Sequence, residues 1–168
     1  EIPIIGFYQL DFSNLPVLLG GFSMGPLAGV IILGIKSASG LLHSSSQFVG
    51  ELADFLFGLS LLLPAALLYR REKNRKSALL GMAVGTVCMI LSGVIINAFV
   101  LIPFYTAVVG LPMEAILGMF SVIPGIDSLE KLLFLATAPF NLIKGVVLSV
   151  LTFVLYKHLS PFLHGRRC

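Results

Sequence analysis

Between Ser77 and Phe104 the chain carries no charged side chain. As a helix rising about 1.5 Å per residue, such a stretch is long enough to cross a hydrocarbon core roughly 30 Å thick. Pro139 to Tyr156 is nearly long enough, and its one charge is Lys144. Of all 168 residues, 57% are hydrophobic and 11% charged, and the mean hydropathy is +1.02, values foreign to soluble domains. The apolar runs are unbroken, whereas a transmembrane β-barrel alternates apolar and polar residues in segments of about ten. The expected fold is an all-α integral membrane protein, one transmembrane domain over residues 1–168.

Proline, glycine and charge divide this domain. Residues 1–11 read as an irregular polar-aromatic loop. Asp11 and Pro16 suit a helix start, and spans are expected at about 12–22, 26–42, 48–69, 77–101 and 139–158. The first two form a short hairpin through Met24-Gly-Pro26, and Ser77 is expected to cap the fourth. Residues 102–138, with Pro103, Gly110, Pro112, Pro124 and Gly125, read as an interfacial loop holding a short helix from Leu129 to Thr137.

Orientation follows from basic residues near span ends, which mark the cytoplasmic side. Arg70, Arg71, Lys73, Arg75 and Lys76 crowd one loop, and Lys157, Arg166 and Arg167 lie in the C-terminal tail. Two spans separate the clusters, the even number that puts both on one side. The C-terminus is therefore expected to be cytoplasmic and the 102–138 loop outside. Counting back places residues 1–11 outside, and one further span ahead of Glu1 would bring the N-terminus inside. Five spans are visible and six are expected.

Several function classes drop out. The net charge of +3 sits in clusters that flank apolar segments, a topology signal and not a nucleic-acid surface. Cys88 and Cys168 have neither disulfide-framework nor metal-ligand spacing. His43, His158 and His164 have no acid or serine at motif spacing, so no catalytic set, cofactor or metal is expected. Without a Gly-Lys-Ser/Thr phosphate loop the chain cannot itself hydrolyse ATP, and active transport would need partner subunits.

Polar side chains within the hydrocarbon are costly and mark candidate sites. Lys36, Glu51, Asp54, Asn97, Asn141 and Lys144 form this group. Lys36 lies near mid-span with Glu51 and Asp54 on the next helix, an expected structural ion pair. Asn141 and Lys144 share a helix face by their i, i+3 spacing, and Asn97 is expected at the same depth near the outer end of its own span. Two carboxamides and an ammonium supply donors and acceptors for a neutral, heteroatom-rich ligand. The alternative is that Lys144 snorkels to the interface and the asparagines bond neighbouring helices. The loop from Ile4 to Phe12, with Phe7 and Tyr8, could cover a planar ring by stacking or serve as an interfacial anchor.

Three stretches together carry a family resemblance: Leu10-Asp-Phe-Ser-Asn-Leu-Pro16 running into Gly25-Pro-Leu-Ala-Gly29, Asn97-Ala-Phe-Val-Leu-Ile-Pro-Phe-Tyr105, and Pro139-Phe-Asn-Leu-Ile-Lys-Gly145. The chain resembles the riboflavin-specific substrate-binding subunit of energy-coupling-factor (ECF) transporters, and Pro-Phe-Asn-x-x-Lys-Gly is the most specific part. The resemblance implies a six-helix bundle in a bacterial cell membrane, its first helix preceding Glu1. It implies riboflavin as the transported ligand, and a transmembrane coupling subunit and two ATPase subunits as partners. Asn97, Asn141 and Lys144 match the family's polar ligand contacts, and Leu10 and Asp11 lie in its covering loop. One departure is Asp54, where related sequences often carry Asn. Two alternatives are a sister subunit for another vitamin and a structural bundle without ligand.

Overall fold

The computed structural model describes residues 2–5, 8–41 and 49–163. Phe7, the expected loop at 43–47 and the tail residues Arg166 and Arg167 lie outside them. The N-terminal residues are not irregular: Ile2–Ile5 (β1) and Tyr8–Leu10 (β2) form an antiparallel hairpin with a bulge. β-branched and aromatic residues on both arms favour that pairing. Five helices build the bundle: α1 (Asn14–Met24), α2 (Pro26–Leu41), α3 (Val49–Arg71), α4 (Arg75–Ile96) and, after shorter pieces, α8 (Ala138–Leu163).

Gly25, with φ of 101°, makes the turn between α1 and α2, and Pro26 opens α2 where its missing N–H costs nothing. Ser77 does not cap α4. Asn74 does, its Oδ1 accepting the Ser77 N–H at 2.7 Å, so the helix starts at Arg75, inside the basic loop. Oxygen-bearing side chains at this position satisfy otherwise orphaned N–H groups.

Two expected boundaries are corrected. The fourth helix does not end at Leu101 but runs on through a π-helical turn, Asn97–Leu101, into α5 (Ile102–Ala107). The last helix does not begin at Pro139 but follows α7 (Leu129–Leu132) and a second π-turn, Leu133–Thr137. In an α-helix a proline removes a hydrogen bond and its ring strikes the preceding turn. Here Pro103 and Pro139 each come just after a π-turn, in which Ile102 N–H bonds to Asn97 O and Ala138 N–H to Leu133 O. These wider i→i+5 turns accommodate the rings without ending the helices. Between them, the remainder of the 102–138 segment holds α6 (Met113–Met119) and turns.

Three helical stretches, Val49–Arg71, Arg75–Ala107 and Leu129–Tyr156, are long and apolar enough to span a membrane, while α1 and α2 have 11 and 16 residues. Their packing buries Leu61, Leu62, Ala65, Met82, Met89 and Leu148 between α3, α4 and α8, with Val17, Leu18 and Phe22 of α1 closing one side. The outward faces are as apolar as the core: Phe99, Leu27 and Phe134 are 78%, 74% and 70% exposed. That exterior suits lipid and not water. The chain is a multi-pass membrane helical bundle, with the basic 70–76 loop at one end and the hairpin at the other.

Candidate functional site

At the hairpin end, α4 and the helix leading into α8 each place a polar residue at a π-turn: Asn97 opens the first turn and Thr137 closes the second. Such turns are frequent at functional sites because they re-aim one side chain without ending the helix. Asn97 is fully buried. Its Nδ2 donates to Gly93 O at 2.8 Å and its Oδ1 accepts from the Tyr8 hydroxyl at 3.1 Å. Tyr8 also shares a hydrogen bond with the Thr137 hydroxyl. The Tyr8 ring stacks on Phe140 at 4.8 Å and 14° and meets Phe120 at 5.2 Å and 59°. The hairpin is thus pinned into the mouth of the bundle by one aromatic residue.

Asn141 is 2% exposed and donates through Nδ2 to Thr137 O at 2.9 Å. Its carboxamide occupies the space where a side chain at Gly93 would stand. Glycine there lets Asn141 lie directly on α4, one turn from Asn97. The two asparagines therefore share the interface of α4 and α8, although among the described residues no hydrogen bond joins them directly.

Lys144, one turn further along α8, is 4% exposed and points to α3, where its Nζ donates to Asp54 Oδ1 at 3.1 Å. The other Asp54 oxygen accepts from Lys36 at 2.6 Å, which is the ion pair expected from sequence. Lys36 Nζ also lies 2.8 Å from Asp11 and 3.0 Å from Asn14 Oδ1. Asp11, next to the hairpin, accepts from the Ser13 N–H at 2.7 Å and from its hydroxyl. Burial alone would raise the Asp11 carboxyl, but the hydrogen bonds from Lys36 and Ser13 outweigh it and hold it at about 2. Burial pushes the Tyr8 phenol up to about 12, since ionisation would place a charge against Phe140 and Phe120.

Chemically the site is rich in donors. An ammonium has three N–H groups, and among the described residues Asp54 is the one hydrogen-bond partner of Lys144. Among the described residues the buried Asn14 Nδ2 has no acceptor. A ligand bearing carbonyl or hydroxyl oxygens would complement both, beside the aromatic wall of Tyr8, Phe120 and Phe140. Among the described residues no three His, Cys, Asp or Glu side chains group as metal ligands.

Of the residues singled out from sequence, Asn97, Asn141, Lys144 and Asp11 are brought to this end of the bundle. Leu10 is in β2, its side chain outside what the structure describes, and Phe7 lies outside the described residues. Tyr8, weighed from sequence as a stacking cover or an interfacial anchor, is here a hydrogen-bond partner of Asn97, whereas Asn14 and Thr137 carry no sequence signal that singles them out. Thr137 stands four residues before Asn141, hence on the same face, but Pro139 between them reads in the sequence as a helix start. Two cavities lie elsewhere. One of about 260 Å³ sits at the basic end beside Tyr69, Arg70 and Lys73, and a groove of about 390 Å³ runs between Met82, Thr86, Val146 and Ser149. Neither is lined by a buried ammonium or carboxamide of the kind found at the hairpin end.

A family model described as "ECF transporter, substrate-specific component" matches residues 1–156. The riboflavin transporter RibU of Staphylococcus aureus (strain TCH60) is 35% identical over 163 residues, covering 96% of this chain and 80% of that protein. The riboflavin transporter FmnP of Bacillus subtilis (strain 168) is 28% identical over 165 residues, covering 96% and 81%. A solved structure described as the S component of a bacterial ECF transporter superposes with a TM-score of 0.72 at 35% identity, covering 96% of this chain and 84% of that one.

Proposed function

Because the chain belongs to the family of ECF transporter substrate-specific components, we propose that it is a riboflavin-binding subunit, with Asn97, Asn141, Lys144 and Tyr8 meeting the vitamin at the hairpin end. The observation that carries this reading is Lys144: a nearly dry ammonium, 4% exposed, with one acceptor for three donors. A buried cation so placed is retained at a cost of several kcal/mol, and a ligand oxygen would complete its shell. Riboflavin offers ring carbonyls and nitrogens for the two carboxamides and the ammonium, and a hydroxylated chain. The two relatives, both riboflavin transporters, support the same ligand over other vitamins.

In this reading the basic 70–76 loop and the C-terminus face the cytoplasm. The hairpin end, with Leu10 and Asp11, faces outside and receives the vitamin. Delivery inward is driven by a transmembrane coupling subunit and two ATPases, since the chain has no nucleotide-binding loop of its own. Purified protein should quench riboflavin fluorescence at about one ligand per chain, and thiamine, biotin or pantothenate should not compete. The double variant Asn141→Ala, Lys144→Ala should bind much more weakly. Unchanged affinity in that variant would remove the site assignment, and no quenching by the parent chain would remove the ligand.

A further inference from the structure

Resting on the reading of Lys144 as a riboflavin contact, we propose that Asp54 and Lys36 are positioning residues that aim the Lys144 ammonium and hold it ready for the ligand. Four side chains from four parts of the chain form an alternating series: Asp11 beside the hairpin, Lys36 on α2, Asp54 on α3 and Lys144 on α8. The contacts along it are 2.8, 2.6 and 3.1 Å. Asp54 divides its two oxygens, Oδ2 to Lys36 and Oδ1 to Lys144, so the orientation of its carboxylate depends on both cations. Lys36 is itself held from two further sides, by Asp11 and by Asn14 Oδ1.

The consequence for Lys144 is directional. Its side chain is 6% exposed, too dry to rely on water for solvation, and a charge in such a place needs a partner. Asp54 fills that need from the α3 side and leaves the remaining N–H groups free to point elsewhere. Two acids and two bases also cancel, so the series stores no net charge in the membrane. A carboxamide at position 54 would leave Lys36 its contacts with Asp11 and Asn14 but would give Lys144 only a neutral acceptor, with the like charge of Lys36 facing it across that group. Neither Asp54 nor Lys36 needs to touch the vitamin for the arrangement to act.

Affinity in the full chain provides the test, read by riboflavin quenching for Asp54→Asn, Lys36→Gln, Lys144→Gln and the doubles that combine each of the first two with the third. Each positioning variant should weaken binding about 10- to 100-fold, the range for outer partners of a ligating side chain. On the Lys144→Gln background the same changes should have almost no further effect. Equal losses with and without Lys144 would overturn the proposal, because they would mean direct contact or general damage. Should Asp54→Asn not fold, Asp54→Glu takes its place in the cycle.

A second measurement needs no riboflavin. Acylation of Lys144 by an amine-reactive reagent, mapped by mass spectrometry on the unliganded chain, should be slow in the parent and faster in Asp54→Asn and Lys36→Gln. Unchanged reactivity in both variants would also overturn the proposal. If the parent chain fails to bind riboflavin while its acylation pattern follows expectation, the ligand reading fails and the positioning role stands.

Discussion

The hydroxyl of Tyr8 donates to Oδ1 of Asn97 at 3.1 Å, joining the second strand of the hairpin to the π-turn of α4 across 89 residues of chain. This bond and the stacking on Phe140 are separable. Tyr8→Phe keeps the ring and deletes the hydroxyl, leaving the buried Asn97 oxygen without its partner at a cost of about 1–3 kcal/mol. The amides of Tyr8–Leu10 should then exchange with solvent hydrogen roughly ten times faster or more, by the rule of tenfold per 1.4 kcal/mol. Unchanged exchange would mean that the hydroxyl contributes nothing to holding the hairpin.

The same residue gives a prediction at alkaline pH. Burial raises the Tyr8 phenol from 10.0 to about 12, the Thr137 hydrogen bond only partly opposing it. A folded value above the unfolded one means that the contribution of Tyr8 to docking is intact below pH about 10 and is lost as pH rises through about 12. Ultraviolet titration of tyrosinate, compared between the parent chain and Tyr8→Phe, should show one tyrosine ionising in that late window. A difference curve centred near the ordinary value would contradict the buried placement.

Acid acts on the other anchor. Asp11 is held at about 2, below its ordinary 3.8, because the hydrogen bonds from Lys36 and Ser13 exceed the opposing effect of burial. A depressed folded value gives stability that is present above pH about 4 and lost as pH falls through about 2. Limited proteolysis of the hairpin should therefore be slow at neutral pH and accelerate in that acid range. In Asp11→Asn it should be fast at both.

Close packing of α3 on α4 rests on glycine. A Cβ at Gly85 would stand 2.5 Å from Leu61 O and one at Gly81 2.8 Å from Ala65 O, while at Gly34 nothing lies within 4 Å. Backbone oxygens cannot swing aside as a side chain can. Gly85→Ala should thus cost about 1–3 kcal/mol or more by forcing the helices apart, and Gly34→Ala should be neutral or slightly stabilising through helix propensity. Thermal unfolding of the two variants in the same detergent checks the contrast.

What the sequence alone determined is the solvent and the periodic part of the site. Charge-free runs such as Ser77 to Phe104 and the basic cluster at 70–76 fixed membrane helices and their break. The i, i+3 spacing put Asn141 and Lys144 on one face, because helical geometry is local. Tertiary structure decided the rest. In lipid both the core and the outside of a helix are apolar, so periodicity could not tell Leu62, fully buried, from Phe99, 78% exposed. Prolines read as helix ends because the π-turns that accommodate them have no composition signature. Asp54 shared between Lys36 and Lys144, and Tyr8 set between Asn97 and Thr137, join residues whose separation along the chain carries no information. Those contacts exist because helix packing brings the hairpin, α2, α3, α4 and α8 to one end of the bundle, where Tyr8 and Asp54 meet partners on other elements.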